Sequence, residues 1–183
     1  CSELKWSEYF GLNVINWEDY YVIPYNVCRE TFLQSFQYKI QHRYYPCNYT
    51  LSIWYVAHSS KCDICDAVDN LEHFFFYCQT VRALWSMIIV WWRNIIGFSI
   101  NISSFDVLFG IPNENGDKSI DFMNLSILYG KYYIHMCKKN NSQIFFMDYI
   151  KYVKDRLEIE KMYCQINQLD TFEKRWAEYF DQL

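Results

Sequence analysis

Between residues 79 and 96 the apolar side chains Val81, Leu84, Trp85, Ile88, Ile89, Trp92 and Ile96 recur every three or four positions, the spacing that gathers side chains on one face of a helix. The stretch is so apolar that it predicts a central, mostly buried core helix. A second helix is predicted over 31–42, where Phe32, Phe36, Lys39, Ile40 and Arg43 follow the same steps, with Pro46 as its stop. Asp69, followed three residues later by Glu72, marks a helix start just before His73, with Asp69 accepting amide hydrogen bonds and Glu72 favouring the positive end of the dipole. Three amphipathic helices are expected near 121–139, 143–165 and 170–180, the last two with mixed charges that read as a solvated face. Elsewhere the pattern is weaker. Residues 1–26 predict a short helix plus packing aromatics, 48–58 a turn and short helix or strand, 105–110 a short extended piece, and 112–117 a loop rich in Asn, Gly and Asp.

With 3 Pro and 5 Gly in 183 residues, breakers are few and no repeat or linker divides the chain, which favours helices over a many-stranded sheet. The expected fold class is mainly α, a helical domain with a CCHC zinc knuckle-like site and few or no short strands. The length suits one core or two tightly packed halves: 1–98, an aromatic and basic helical segment carrying the cysteine cluster, and 99–183, a C-terminal helical region packed on it. Apolar residues make up 52% and aromatics 21% of the chain, more than enough burial for a folded protein. The longest apolar run, 84–98, contains Arg93 and falls short of the roughly 20 residues needed to cross a bilayer, so no membrane association is expected. The chain starts at Cys1 with no secretory leader pattern, and reads as a piece of something longer.

A net charge of -4 argues against a surface that grips phosphates everywhere; nucleic-acid binding, if present, must be local. One segment meets that condition. From 31 to 61 there is no acidic residue, and Lys39, His42, Arg43 and Lys61 are interleaved with Phe36, Tyr38, Tyr44, Tyr45, Tyr49, Trp54 and Tyr55, a combination suited to phosphate contact and base stacking. The same aromatics equally suit a core beneath a short helix. Lys39, His42, Arg43 and Lys61 are the candidate nucleic-acid-binding residues.

Eight cysteines permit a disulfide framework or metal ligands and free thiols. Spacing favours metal. Cys62 and Cys65 are two residues apart, His73 follows after seven more and Cys78 after four; a Cys-x2-Cys turn lets two sulfurs reach one ion, and a turn of helix brings in the second pair. With His73 in the first turn and Cys78 just past the end, Phe74, Phe75, Phe76 and Tyr77 would pack around a Zn2+ ion. Four protein ligands leave no open position, so the metal is expected to be structural rather than catalytic. A thioredoxin-like pair fits poorly, because Asp63 and Asp66 would raise the thiol pKa values. A lone His73 would read as a core histidine, but three matched cysteines argue otherwise. Cys1, Cys28, Cys47, Cys137 and Cys164 show no paired spacing and read as small apolar residues.

These residues also carry a family likeness. The run from Phe36 through Lys39, His42, Arg43 and Pro46, then Asn48 and Leu51, the Cys62–Cys65 pair, Asn70 to Cys78, and Leu84-Trp85 resembles the C-terminal zinc-binding region that follows the polymerase in LINE-type non-LTR retrotransposon reverse transcriptases. The tail, with Gly130 to His135, is similar more loosely. The resemblance implies Cys62, Cys65, His73 and Cys78 as metal ligands, and a role in holding RNA template or target DNA during target-primed reverse transcription. It implies an upstream polymerase domain of the same polyprotein as partner, and an intracellular location in nucleus or cytoplasm. Catalysis would lie elsewhere, since no adjacent Asp-Asp pair, endonuclease constellation, Gly-rich phosphate loop or nucleophile elbow is found here. The alternative function is a domesticated or degenerate retroelement fragment acting as a protein-interaction module.

Overall fold

Apolar residues at helical spacing fold as helices through most of the chain, and the computed structural model, which describes residues 2–13, 15–98 and 100–183, is mainly α. Three short helices open it, α1 (Ser2–Phe10), α2 (Trp17–Tyr21) and α3 (Ile23–Val27), where one was expected. Each is restarted locally: the Asn16 side chain accepts the Glu18 amide at the start of α2, and Pro24 lies in the first turn of α3. Next come α4 (Thr31–Gln41) and α5 (Asn48–Ile53). Pro46 is not what ends α4. The chain turns back at Arg43, where the Tyr44 amide reaches the Lys39 carbonyl at 2.8 Å and the Arg43 amide reaches Ile40 at 3.0 Å. This is a Schellman turn with Arg43 at φ 61°, the left-handed position that glycine usually takes.

Beyond the cysteine cluster lie α6 (Gln79–Ile96), α7 (Ser104–Phe109), α8 (Lys118–Lys139), α9 (Phe146–Ile166), α10 (Thr171–Arg175) and α11 (Ala177–Phe180). The extended piece expected over 105–110 is instead α7. Ser103 and Asp106 form a reciprocal capping box that holds its first turn, and Val107, Leu108 and Phe109 run into the core. The single helix expected over 170–180 is broken at Trp176, whose buried indole N–H donates to Glu160 at 3.0 Å.

The central position belongs to α8 more than to α6. On α6 only a stripe of Val81, Leu84, Trp85, Ile88 and Trp92 is buried, with Met87, Val90 and Arg93 outside. In contrast α8 is buried on nearly every face from Phe122 to Ile134. Its polar residues survive there because each finds a partner. Asn124 exchanges two hydrogen bonds with the Ile111 backbone at 2.7 and 2.8 Å, and Ser126 donates to Phe122 O at 2.7 Å. Gly130 opens the slot for α6: a Cβ there would stand 2.8 Å from the Trp85 ring. Buried side chains from Trp6 to Tyr179 form one cluster, and a part-buried Arg156–Glu30 pair ties α9 to the start of α4. Among the described residues the one strand-like pairing is an antiparallel bridge of Lys61 with Val68, and no helix is long and apolar enough to cross a membrane.

Candidate metal centre

Residues 61–68 double back through that bridge as a tight knuckle. The Cys62 amide donates to Ala67 O at 2.8 Å and the Asp66 amide returns to Cys62 O at 3.0 Å, with Asp66 at φ 57° making the turn. Inside the turn the backbone N–H groups of Ile64 and Cys65 work to lower the Cys62 thiol pKa against the larger effect of burial. Such donors favour a thiolate over a thiol.

The second pair of ligands comes from a short helical passage. Its start is set by Asn70, one residue later than expected: the Asn70 side-chain oxygen accepts the His73 amide at 2.8 Å, and its carbonyl accepts Phe74 N at 2.8 Å. Asp69 does not cap it. Asp69 is buried and instead takes the Asn48 amide at 3.1 Å, holding the start of α5, and burial pushes its carboxyl pKa up. Glu72 is engaged by the hydroxyls of Tyr9 and Ser104. From His73 to Tyr77 the passage widens into one π turn, closed by the Cys78 amide on His73 O at 2.9 Å. π turns recur at functional sites, and this one sets the swing from His73 to Cys78. Phe75 goes into the core against Phe36 and Tyr45, whereas Tyr77 faces outward, so not all four aromatics wrap the site.

Cys78 is also the residue from which α6 starts, its carbonyl accepting Val81 and Arg82 amides, both at 2.9 Å. The Cys78 sulfur therefore sits at the positive end of α6, where a thiolate is favoured. Burial opposes ionisation, but hydrogen bonds from Thr80 and the Lys138 charge outweigh it, and its pKa is lowered. Burial pushes the Cys62 thiol up to about 11, and lowers the His73 pKa, which favours the neutral imidazole a ligand requires.

The four donor atoms converge. Cys62 and Cys78 sulfurs are 3.9 Å apart, Cys65 Sγ and His73 Nε2 3.2 Å, and all four donors lie within 4.8 Å of one another. A tetrahedral ion with sulfur arms of about 2.3 Å needs sulfur–sulfur edges of about 3.8 Å. Cys62, Cys65, His73 and Cys78 thus fit a divalent metal. Cys62, His73 and Cys78 are buried and Cys65 is half-exposed. Of the other cysteines, Cys28, Cys47, Cys137 and Cys164 are buried free thiols, with Cys28 pushed up to about 12 by burial, and Cys1 lies outside the described residues.

The four basic candidates are dispersed. Arg43 is half-buried, its guanidinium 4.7 Å above the Trp6 ring. His42 lies beside it, edge-on to Tyr38 and Tyr21, with Nδ1 buried and unpartnered. Lys39 is exposed, and its charge acts on His135. Lys61 forms an ion pair with Asp66 at 2.7 Å, on the knuckle. What joins His42 and Arg43 is a groove of about 970 Å³ whose walls include Lys5, Tyr44, Tyr49 and Trp54, with Glu8 and Glu72 also lining it. Lys5 was missed because nothing in its local sequence sets it apart. Compared with known proteins, the chain matches no family model and no curated sequence.

Proposed function

We propose that the ion held by Cys62, Cys65, His73 and Cys78 is zinc in a structural role, and that the chain is a non-catalytic module that binds single-stranded RNA or DNA. Thiolates with one imidazole in a tetrahedron are the donor set zinc prefers, and four protein ligands leave no position for a reacting water. The resemblance to the region after the polymerase of LINE-type reverse transcriptases points the same way, with an upstream polymerase domain as partner in the parent polyprotein.

The observation that carries the nucleic-acid reading is the groove beside α1 and α5. Tyr44, Tyr49 and Trp54 present exposed rings in it, next to Lys5 and the Arg43 cation. Bases stack on such rings with little regard to sequence, each worth about 1–3 kcal/mol, while cations track the phosphates. Overall acidity confines binding to this strip. Fluorescence anisotropy of labelled single-stranded oligonucleotides, titrated with salt, tests it. Trp54→Ala should weaken binding by about fivefold or more, and Arg43→Ala should reduce the salt slope by about one. No binding at low salt, or full affinity in Trp54→Ala, would end the claim. An exposed stripe on α9, Ile159, Met162, Tyr163 and Ile166, favours the second reading, a protein-interaction module, and is the face to test if oligonucleotides fail to bind.

A further inference from the structure

Three thiolates around one divalent ion leave a net negative charge, and burial of Cys62 and Cys78 keeps water from screening it. Such a centre calls for a nearby cation. The knuckle supplies none to spare, because Lys61 is paired with Asp66. The cation comes instead from the other half of the chain. Lys138, in the last turn of α8, is half-buried. Its ammonium donates to Phe74 O, the carbonyl next to His73, at 2.9 Å, and lies 3.9 Å from the centroid of the Phe74 ring. Those two contacts hold the side chain inward. Among the described residues no carboxylate, Asp69 included, stands within ion-pair distance of it. Lys138 shares a cavity wall with Cys62, Asp69 and Phe74.

We infer that Lys138 is the fixed outer-sphere counter-cation of the metal centre, a positioning residue that strengthens metal binding without touching the ion. This rests on the metal reading of the cluster. Its consequence is that metal affinity depends on α8 being docked, so the ion is gripped by the folded chain more tightly than by an isolated knuckle peptide. Outer-shell partners of metal ligands set affinity by about 10- to 100-fold.

The test is titration of the reduced full chain with Co2+, followed by the visible ligand-field band, and then displacement by Zn2+ in competition with a chromogenic chelator. Lys138→Gln keeps a donor for Phe74 O but removes the charge, and is expected to lose about tenfold in affinity with an unchanged cobalt spectrum. Lys138→Arg keeps the charge and should stay near native. Lys138→Met, neutral and of similar length, repeats the measurement should the amide pack poorly. Native affinity in both neutral variants, or an equal loss in Lys138→Arg, overturns the role of Lys138 and leaves the metal site standing. A native chain that takes up neither ion overturns the metal reading and this inference with it.

Discussion

Lys131 offers a sharp test of how α8 is packed. Its side chain is fully buried between α4 and α7, and its amine meets two acceptors, Gln37 Oε1 and the Leu108 carbonyl at 3.1 Å. A neutral amine has two N–H donors, so the site satisfies the uncharged form and leaves a third proton without a partner. Burial accordingly drives its pKa well below the ordinary 10.5. The unfolded chain holds that proton up to about 10.5, the folded chain releases it earlier, and between the two values the unfolded state binds more protons. Stability must therefore rise with pH across this window and level off above it, by up to about 1.4 kcal/mol per pH unit for one proton. Lys131→Met removes the titration while nearly conserving volume. Urea melts of both proteins at pH 7, 8 and 9 give the difference in stability, in which the other titrating groups cancel. That difference should shift in favour of the native chain as pH rises, with a slope that approaches but does not exceed about 1.4 kcal/mol per unit once the pH is above the lowered pKa. Parallel pH profiles would show that Lys131 stays charged when folded and would refute the argument.

Three further outcomes are expected. Chelation should lower the melting temperature of the native chain, by the equivalent of about 2.7 kcal/mol if the free ion stood at a hundred times its dissociation constant, and should leave His73→Ala unmoved; a native melt indifferent to chelator refutes the centre. Gly130→Ala should cost about 1–3 kcal/mol through overpacking against Trp85, and a double-mutant cycle with Trp85→Phe should show coupling between the two; additive losses would mean that the close approach is absent. At Arg43, substitution by Gly relieves a left-handed backbone worth about 1–2 kcal/mol while losing a cation–π contact worth about 0.5–1 kcal/mol, so Arg43→Gly should be more stable than Arg43→Ala in urea melts; the reverse order would refute the strain.

The apolar pattern located α4, α6, α8 and α9 to within a few residues, because in α4, α6 and α9 the buried positions recur at helical steps and α8 is apolar enough to read as helix. It misread α7, since a short apolar stretch such as Phe105, Val107, Leu108 and Phe109 looks the same for a buried strand and a buried helix. There the deciding signal, the Ser103–Asp106 box, uses an acid shorter than the usual glutamate. It overrated α6 against α8 because Asn124, Ser126, Gly130 and Lys131 interrupt the apolar pattern of the more buried helix, and their partners are set by tertiary contacts. The convergence of the four candidate donors was legible because all four lie within one short segment at telling intervals. Asp69 and Asn70 are both capping residue types, and only the backbone decides which faces the His73 amide. Lys138 arrives from sixty residues beyond Cys78, so no local spacing announces it.

Cys78 is at once a candidate metal donor and the N-cap of α6, so with an ion bound the rotation of that helix about its own axis would be keyed to the centre. Each residue of an α-helix advances by about 100°. A single inserted amino acid after Cys78 would swing Trp85 out of the Gly130 slot and turn Thr80, Ala83 and Met87 toward the interior, whereas the exposed turn at 114–117 could lengthen more readily. Length variation among relatives of this chain should therefore collect in that turn and stop short of the junction at 78–79.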